Sequence, residues 1–388
     1  MRLGSWINDL RLFFSLAFLG HDSLWPVEFG DTAFFGYIAS IGKFPSAMKN
    51  FQTIIWGILL LFIASVSPAQ EKPGNRYEYN EVTLYVIPSI VEFDWTSPST
   101  LQKSYLKNYA LKPFSANKYV LGHMFVGLTS PRLEEPYFTG IINSSGRELR
   151  QLVTKDKIGL GILGADVAGE LEDESDVAET IRKYARMGKI ASLVYRVGDE
   201  AFDRIVGFFD YFSSEDDQGY IPSASYGGAF WPLHHYEGAG CTALALSMLE
   251  IIGRKDLILD EWAVDVKISM DLVGGSMNDG RRIKFRDIHK ADKWFEGEGI
   301  ANEDYVFFRI YETNYIYNWI LGRFKGESNL KSSHYVSASG SLIPALFTDL
   351  RGHGEIDRPL LHPREDNNFF IQHFMGEKGL SNRANPLK

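Results

Sequence analysis

Few residues in this chain can act as a nucleophile of the thiol type. Cys241 is the only cysteine among 388 residues, and it stands at the end of "YEGAG" and the start of "CTALALSMLE". After it, Leu244, Ala245, Met248, Leu249 and Ile252 recur at helical spacing, and Gly253 supplies a stop. The pattern predicts a helix with Cys241 in its first turn. There the unpaired N–H groups and the helix dipole favour a thiolate and can hold a developing oxyanion. Gly238 and Gly240 leave room for a backbone or a substrate to come close. The same cysteine would also suit a small buried apolar position, since free cysteine is among the most buried residue types. It does not suit a lipid anchor. "AGC" at 239–241 has the small residues of a lipobox but lies far from any apolar leader.

A thiolate needs an imidazole within hydrogen-bond reach, first as ion-pair partner and then as general acid. Of nine histidines, His123 is the leading candidate, because it interrupts the apolar run "LGHMFVGL" directly after Gly122. His234 and His235, in "FWPLHHYEG" just before the cysteine helix, also qualify by proximity in sequence. His353 and His362 fall in a loop-rich tail and read as solvent-facing. His234 and His235 with Asp216 or Asp217 would be the residues of a metal site, but no standard ligand spacing is present.

The elements that must position these groups alternate irregularly along the chain. Residues 77–90 and 118–128 read as strands, and 97–112 as a helix ending before Pro113. Residues 137–143 and 147–154 flank "SSG" as a hairpin. A charged amphipathic helix over 170–187 leads to a strand at 189–197. A helix over 198–214 then turns Phe202, Ile205, Val206, Phe208 and Phe209 inward. Residues 256–275 read as helical, and 305–323 form a long aromatic segment. The tail after Pro344 reads as surface loops. Strands and helices are mixed rather than in strict alternation, so the fold class expected is α+β.

Composition bounds the function further. The chain is 45% hydrophobic and 23% charged with a formal net charge of −9. That acidic balance and the absence of a Lys/Arg cluster argue against nucleic acid as a partner. They argue equally against charge-driven docking on anionic lipid. A single cysteine excludes an intramolecular disulfide.

"MKNFQTIIWGILLLFIASVSPAQ" has the parts of a secretory signal peptide in order: Lys49, an apolar run from Ile54 to Val66, and small residues at Ser67 and Ala69. The run is shorter than the roughly 20 residues a membrane span takes. The expectation is a signal peptide over 48–69 and an exported protein, periplasmic or extracellular, with no stable membrane span after cleavage. Residues 1–47 then read as an extension from an upstream start assigned in error.

"LGHMFVGL", then more than a hundred residues, then "CTALALSML" opening a helix, is the reverse of the papain order. The chain resembles the circularly permuted NlpC-type papain-like cysteine families over roughly residues 77–253. More narrowly, it is similar to the extracytoplasmic domain of the bacterial lipoprotein intramolecular transacylase and its relatives. The resemblance implies a permuted papain-like core over 70–253 with an antiparallel sheet and a cysteine-bearing helix. Residues 254–388 would be a helical and loop-rich extension packed on the same domain.

The resemblance also implies Cys241 as nucleophile and His123 as base, with no cofactor. A third polar group would orient the imidazole from a neighbouring strand, with Asn143 and Glu148 as candidates. Those domains usually carry Asn before the cysteine. Gly240 stands there in this chain, which departs from the pattern and leaves no Asn for an oxyanion role; Tyr236 would help to line the oxyanion site. The function expected is a thiol-dependent hydrolase or acyltransferase acting on a cell-envelope amide or ester, such as a stem peptide or a lipoprotein acyl group. The alternative is a non-catalytic envelope-binding or scaffold protein on the same frame, using the aromatic stretch from Tyr305 to Trp319.

Overall fold

The computed structural model describes residues 77–216, 219–326, 335–336, 342–352 and 359–377. The expected signal peptide at 48–69 and the segment 1–47 lie outside the described residues. All described residues belong to one compact unit, Asn75–Lys388.

In chain order the elements are β1 (Glu81–Ile87), α1 (Pro98–Leu111), β2 (His123–Thr129), β3 (Tyr137–Thr139), β4 (Ile141–Asn143), α2 (Gly146–Gln151), β5 (Val167–Leu171), α3 (Glu174–Arg186) and β6 (Ala191–Arg196). They continue with α4 (Asp199–Ser213), β7 (Ser225–Tyr226), α5 (Cys241–Ile251), β8 (Ala263–Ser269), α6 (Phe285–Lys290), β9 (Tyr305–Tyr311) and α7 (Thr313–Gly326). The last are β10 (Tyr335–Val336), β11 (Leu342–Ile343), β12 (Ala345–Asp349) and α8 (Phe369–Glu377). The class is α+β.

The main sheet runs β12-β6-β1-β2-β3. It is antiparallel except where β12 joins β6 in parallel. Successive strand residues point to opposite faces, and here both faces are covered. Val82, Leu84 and Val86 of β1, with Met124, Val126 and Leu128 of β2, share one core with α4, α5 and α7. Tyr85, Ile87 and Phe125 point the other way, into a core with Val177, Ile181 and Tyr184 of α3. Three smaller sheets complete the frame: β4-β5-β7, which abuts the site described below, and the pairs β8-β9 and β10-β11.

Several expectations are corrected. Residues 147–154 are helical, because Ser145 caps α2 through the Glu148 N–H. The partner of β4 is therefore the distant β5. Residues 263–269 form strand β8 instead of a helix. Their buried positions, Val264, Val266 and Ile268, alternate with a period of two, a signal masked by the apolar flanks. Residues 305–323 split into a strand and a helix. The tail after Pro344 is not all loop, since Ala345–Asp349 becomes an edge strand of the main sheet. Val206 is on the solvent side of α4, 37% exposed, while Phe212 is buried.

Candidate functional site

Cys241 is the first residue of α5, after Gly240 in extended conformation. The helix is apolar on nearly every side and packs chiefly on β2, so tertiary burial fixes its first turn against the strand that carries His123. The thiol is half-buried and free.

His123 is the first residue of β2, opposite Ile87 of β1. It is placed by the residue before it. Gly122 adopts φ +81°, a left-handed conformation, and a Cβ there would lie 2.1 Å from Thr313 Oγ1. Only glycine takes that conformation readily and leaves that gap. Gly122 is thus a steric requirement of entering β2 at His123, next to the first residue of α7.

The imidazole is boxed in. Tyr119 stacks on it at 4.2 Å with 7° between planes, and Phe125 meets it edge-on at 4.6 Å. Its Nε2 lies 2.6 Å from Oε2 of Glu172, which leaves Nδ1 free of the carboxylate. The other Glu172 oxygen accepts the Tyr119 hydroxyl at 2.5 Å and faces Lys118 Nζ at 3.8 Å. Gly140 makes this pairing possible. A Cβ there would stand 2.7 Å from Glu172 Oε2 and 3.1 Å from His123 Nε2. Glu172 itself is pinned by its N–H to the Gly140 carbonyl, in the residue between β5 and the Asp173 cap of α3.

The electrostatics of the three groups interlock. Burial disfavours the imidazolium, but the charge and hydrogen bonding of Cys241, then of Glu172, outweigh it and raise the His123 pKa to about 9. Burial likewise opposes a Cys241 thiolate, yet the His123 charge and hydrogen bond, the Met124 backbone N–H and the Thr242 hydroxyl bring its pKa below the usual value. Burial would raise the Glu172 pKa. Its hydrogen bond to His123 prevails and holds the carboxyl below its ordinary range. The arrangement therefore favours a thiolate–imidazolium pair with a carboxylate behind it.

Tyr226, at the end of β7, is the other group facing the thiol. Burial first, and then interaction with the Cys241 side chain, keep its phenol protonated, and the Cys241 backbone N–H lies on the same hydroxyl. The Tyr226 hydroxyl is thus a donor beside Sγ. A cleft of about 630 Å³ opens there, lined by Tyr226, Trp231, Cys241 and Thr242 and by Phe307–Tyr311.

The structure brings together Cys241 and His123 and places the other candidates elsewhere. Tyr236 is a correction. It takes a left-handed φ of 64°, its ring packs toward Tyr220 and the Phe230–Phe374 cluster, and it does not line the Cys241 cleft. Tyr226 occupies the position expected of it. Asn143 and Glu148 do not orient the imidazole either: Glu148 accepts the Ala168 N–H and Asn143 donates to the Ala168 carbonyl.

His234 lines the cleft, but its ring packs edge-on against His362 at 4.7 Å. Burial, reinforced by Arg364, lowers its pKa to about 3, so it stays neutral. His362 is not free in solvent, since its Nε2 sits 3.4 Å from Glu250 Oε1. Burial, the larger influence, also lowers the His235 pKa. Asp216 accepts the Tyr220 N–H; Asp217 and His353 lie outside the described residues. Among the described residues no group of three or more His, Cys, Asp or Glu could hold a metal ion, and no helix is long and apolar enough to cross a membrane.

Sequence reasoning missed Glu172, Tyr119 and Tyr226. Glu172 sits in the acidic run "GELEDESD", where it looks like one more solvated helix charge. Its one distinguishing signal is its place directly before an Asp that caps a helix. Comparisons with protein-family models, with curated proteins and with solved structures gave no match.

Proposed function

We propose that this protein is a thiol-dependent hydrolase or acyltransferase on a permuted papain-like frame, exported to act on an amide or ester of the cell envelope. The observation that carries the reading is the linked set Cys241, His123 and Glu172, of which Cys241 lines an open cleft. Export rests on the sequence of residues 48–69.

In this reaction the Cys241 thiolate attacks the substrate's acyl carbon, forming a C–S bond and an oxyanion. The Tyr226 hydroxyl would donate to that oxygen, and the Cys241 backbone N–H, which itself donates to the Tyr226 hydroxyl, would polarise it. Collapse breaks the C–N or C–O bond, and the His123 imidazolium gives its proton to the leaving amine or alcohol. His123, now neutral, then removes a proton from water or from an acceptor amine or alcohol, which attacks the thioester and frees Cys241. Hydrolysis and acyl transfer share the first half and differ in the acceptor. Glu172 keeps the imidazole oriented and favours its charged form, acting as the positioning residue.

The test is the pH dependence of iodoacetamide alkylation of the folded protein, with His123→Ala beside it. Reactivity that persists well below the free-thiol pKa of about 8.5, and is lost in the variant, supports the reading. A thiol inert until the protein unfolds overturns it and leaves a binding or scaffold role.

A further inference from the structure

The cleft that Cys241 lines is also lined by strand β9, and the outer backbone edge of that strand is open. Strand β9 pairs with β8 in the register Ala263↔Tyr311 to Ser269↔Tyr305, and the pair forms a two-stranded sheet. The bonds just beyond its ends fix its phase. The Glu312 N–H donates to the Trp262 carbonyl, and the Met270 N–H donates to the Asp304 carbonyl. Bonded and non-bonded pairs alternate along an antiparallel ladder. The even-numbered residues of β9 therefore bond to β8, and Phe307 and Arg309 turn their N–H and C=O groups outward. The Tyr305 carbonyl, on that same outer side, accepts from Asn302. Among the described residues the backbones of Phe307 and Arg309 have no partner on that side. All of Phe307–Tyr311 lines the cleft, as an edge presented to it would, and Phe307 is 49% exposed.

We infer that the occupant of this cleft is an extended polypeptide that adds as a strand to the open edge of β9. This rests on the thiol reading above and gives it a substrate class. An unpaired edge is a template for another extended chain. Main-chain bonds to Phe307 and Arg309 supply affinity independent of side chains, and they hold a backbone carbonyl over the Cys241 thiolate. The bond broken is then the peptide C–N bond. The acyl half remains on Sγ as a thioester, and the amine half leaves with the proton from His123. A long acyl chain fits less well, because Lys255, Asp265, Arg309, Arg364 and Asp366 line the same cleft and would be desolvated against hydrocarbon. Strand β9 lies beyond residue 253, outside the region of family resemblance.

The test compares alkylation of Cys241 by a trialanyl chloromethyl ketone, a long-chain acyl chloromethyl ketone and iodoacetamide, in wild type, Phe307→Pro and Phe307→Ala. Proline removes the outward N–H without breaking the β8 ladder, where an edge strand tolerates it; alanine keeps that N–H. The peptide reagent should outpace the acyl reagent. Phe307→Pro should cut that advantage roughly fivefold or more below the value for Phe307→Ala, the worth of one net hydrogen bond, with iodoacetamide rates as the reference for thiol reactivity in each variant. Equal peptide rates in the Pro and Ala variants, or a preference for the acyl reagent, overturn the inference while the thiol reading stands. Iodoacetamide inertness at low pH in wild type sinks the thiol reading itself, and this inference with it.

Discussion

His123 Nε2 and Glu172 Oε2 stand 2.6 Å apart with each side chain only 4% exposed. In so dry a setting a carboxylate does more than hold a ring. It makes protonation of the imidazole favourable against the burial that opposes it, and the protonated ring in turn stabilises the Cys241 thiolate. Removing one partner of a buried pair leaves the other uncompensated. Glu172→Ala is expected to destabilise the fold by about 3–5 kcal/mol, read by urea denaturation.

Glu172→Gln keeps the shape but loses the charge. It should bring the His123 pKa down from about 9 and slow low-pH alkylation of Cys241 by roughly tenfold, the effect of about one pKa unit. An alkylation profile unchanged from wild type would show that the carboxylate has no part in the ion pair.

The same carboxylate predicts an acid-side loss of stability. Its folded pKa is depressed below the unfolded value of 4.5. Its contribution is therefore present above about pH 4.5 and disappears as pH falls through the lower folded value. Unfolding followed between pH 2 and 6 should show this slope in wild type and a weaker one in Glu172→Gln.

If a substrate is turned over, the alkaline limb of its rate profile should lie near pH 9, where His123 loses the proton it gives the leaving group. Tyr119→Phe removes the hydroxyl on Glu172 but keeps the stack on the imidazole. It should slow low-pH alkylation of Cys241 less than Glu172→Gln does, and cost about 1.5–3 kcal/mol of stability in urea denaturation, the worth of a hydrogen bond to a charged group.

Gly122→Ala forces a Cβ to within 2.1 Å of Thr313 Oγ1 and adds left-handed strain of about 1–2 kcal/mol. The double variant Gly122→Ala/Thr313→Ala should recover the steric part and not the strain. A thermal-melt cycle gives both, and full additivity of the two changes would rule out the contact as the reason for glycine.

The sequence alone determined the local facts. Cys241 opens a buried helix because apolar residues recur every third or fourth position after it. Gly122-His123 enters a strand, and the mixed order of elements gives an α+β class. These are readable because periodicity and glycine placement are properties of neighbouring residues. Tertiary structure decided which groups meet. Glu172 and Gly140 lie far apart in sequence and converge on His123 only because β4 pairs with β5. Tyr226 displaces Tyr236 because β7 joins that same small sheet while the chain at Tyr236 turns away with left-handed geometry. The open edge of β9 had no sequence signature, since an edge is defined by the strand that is not beside it. Such long-range pairings are fixed by which apolar faces can be buried together, and no local window of sequence records that.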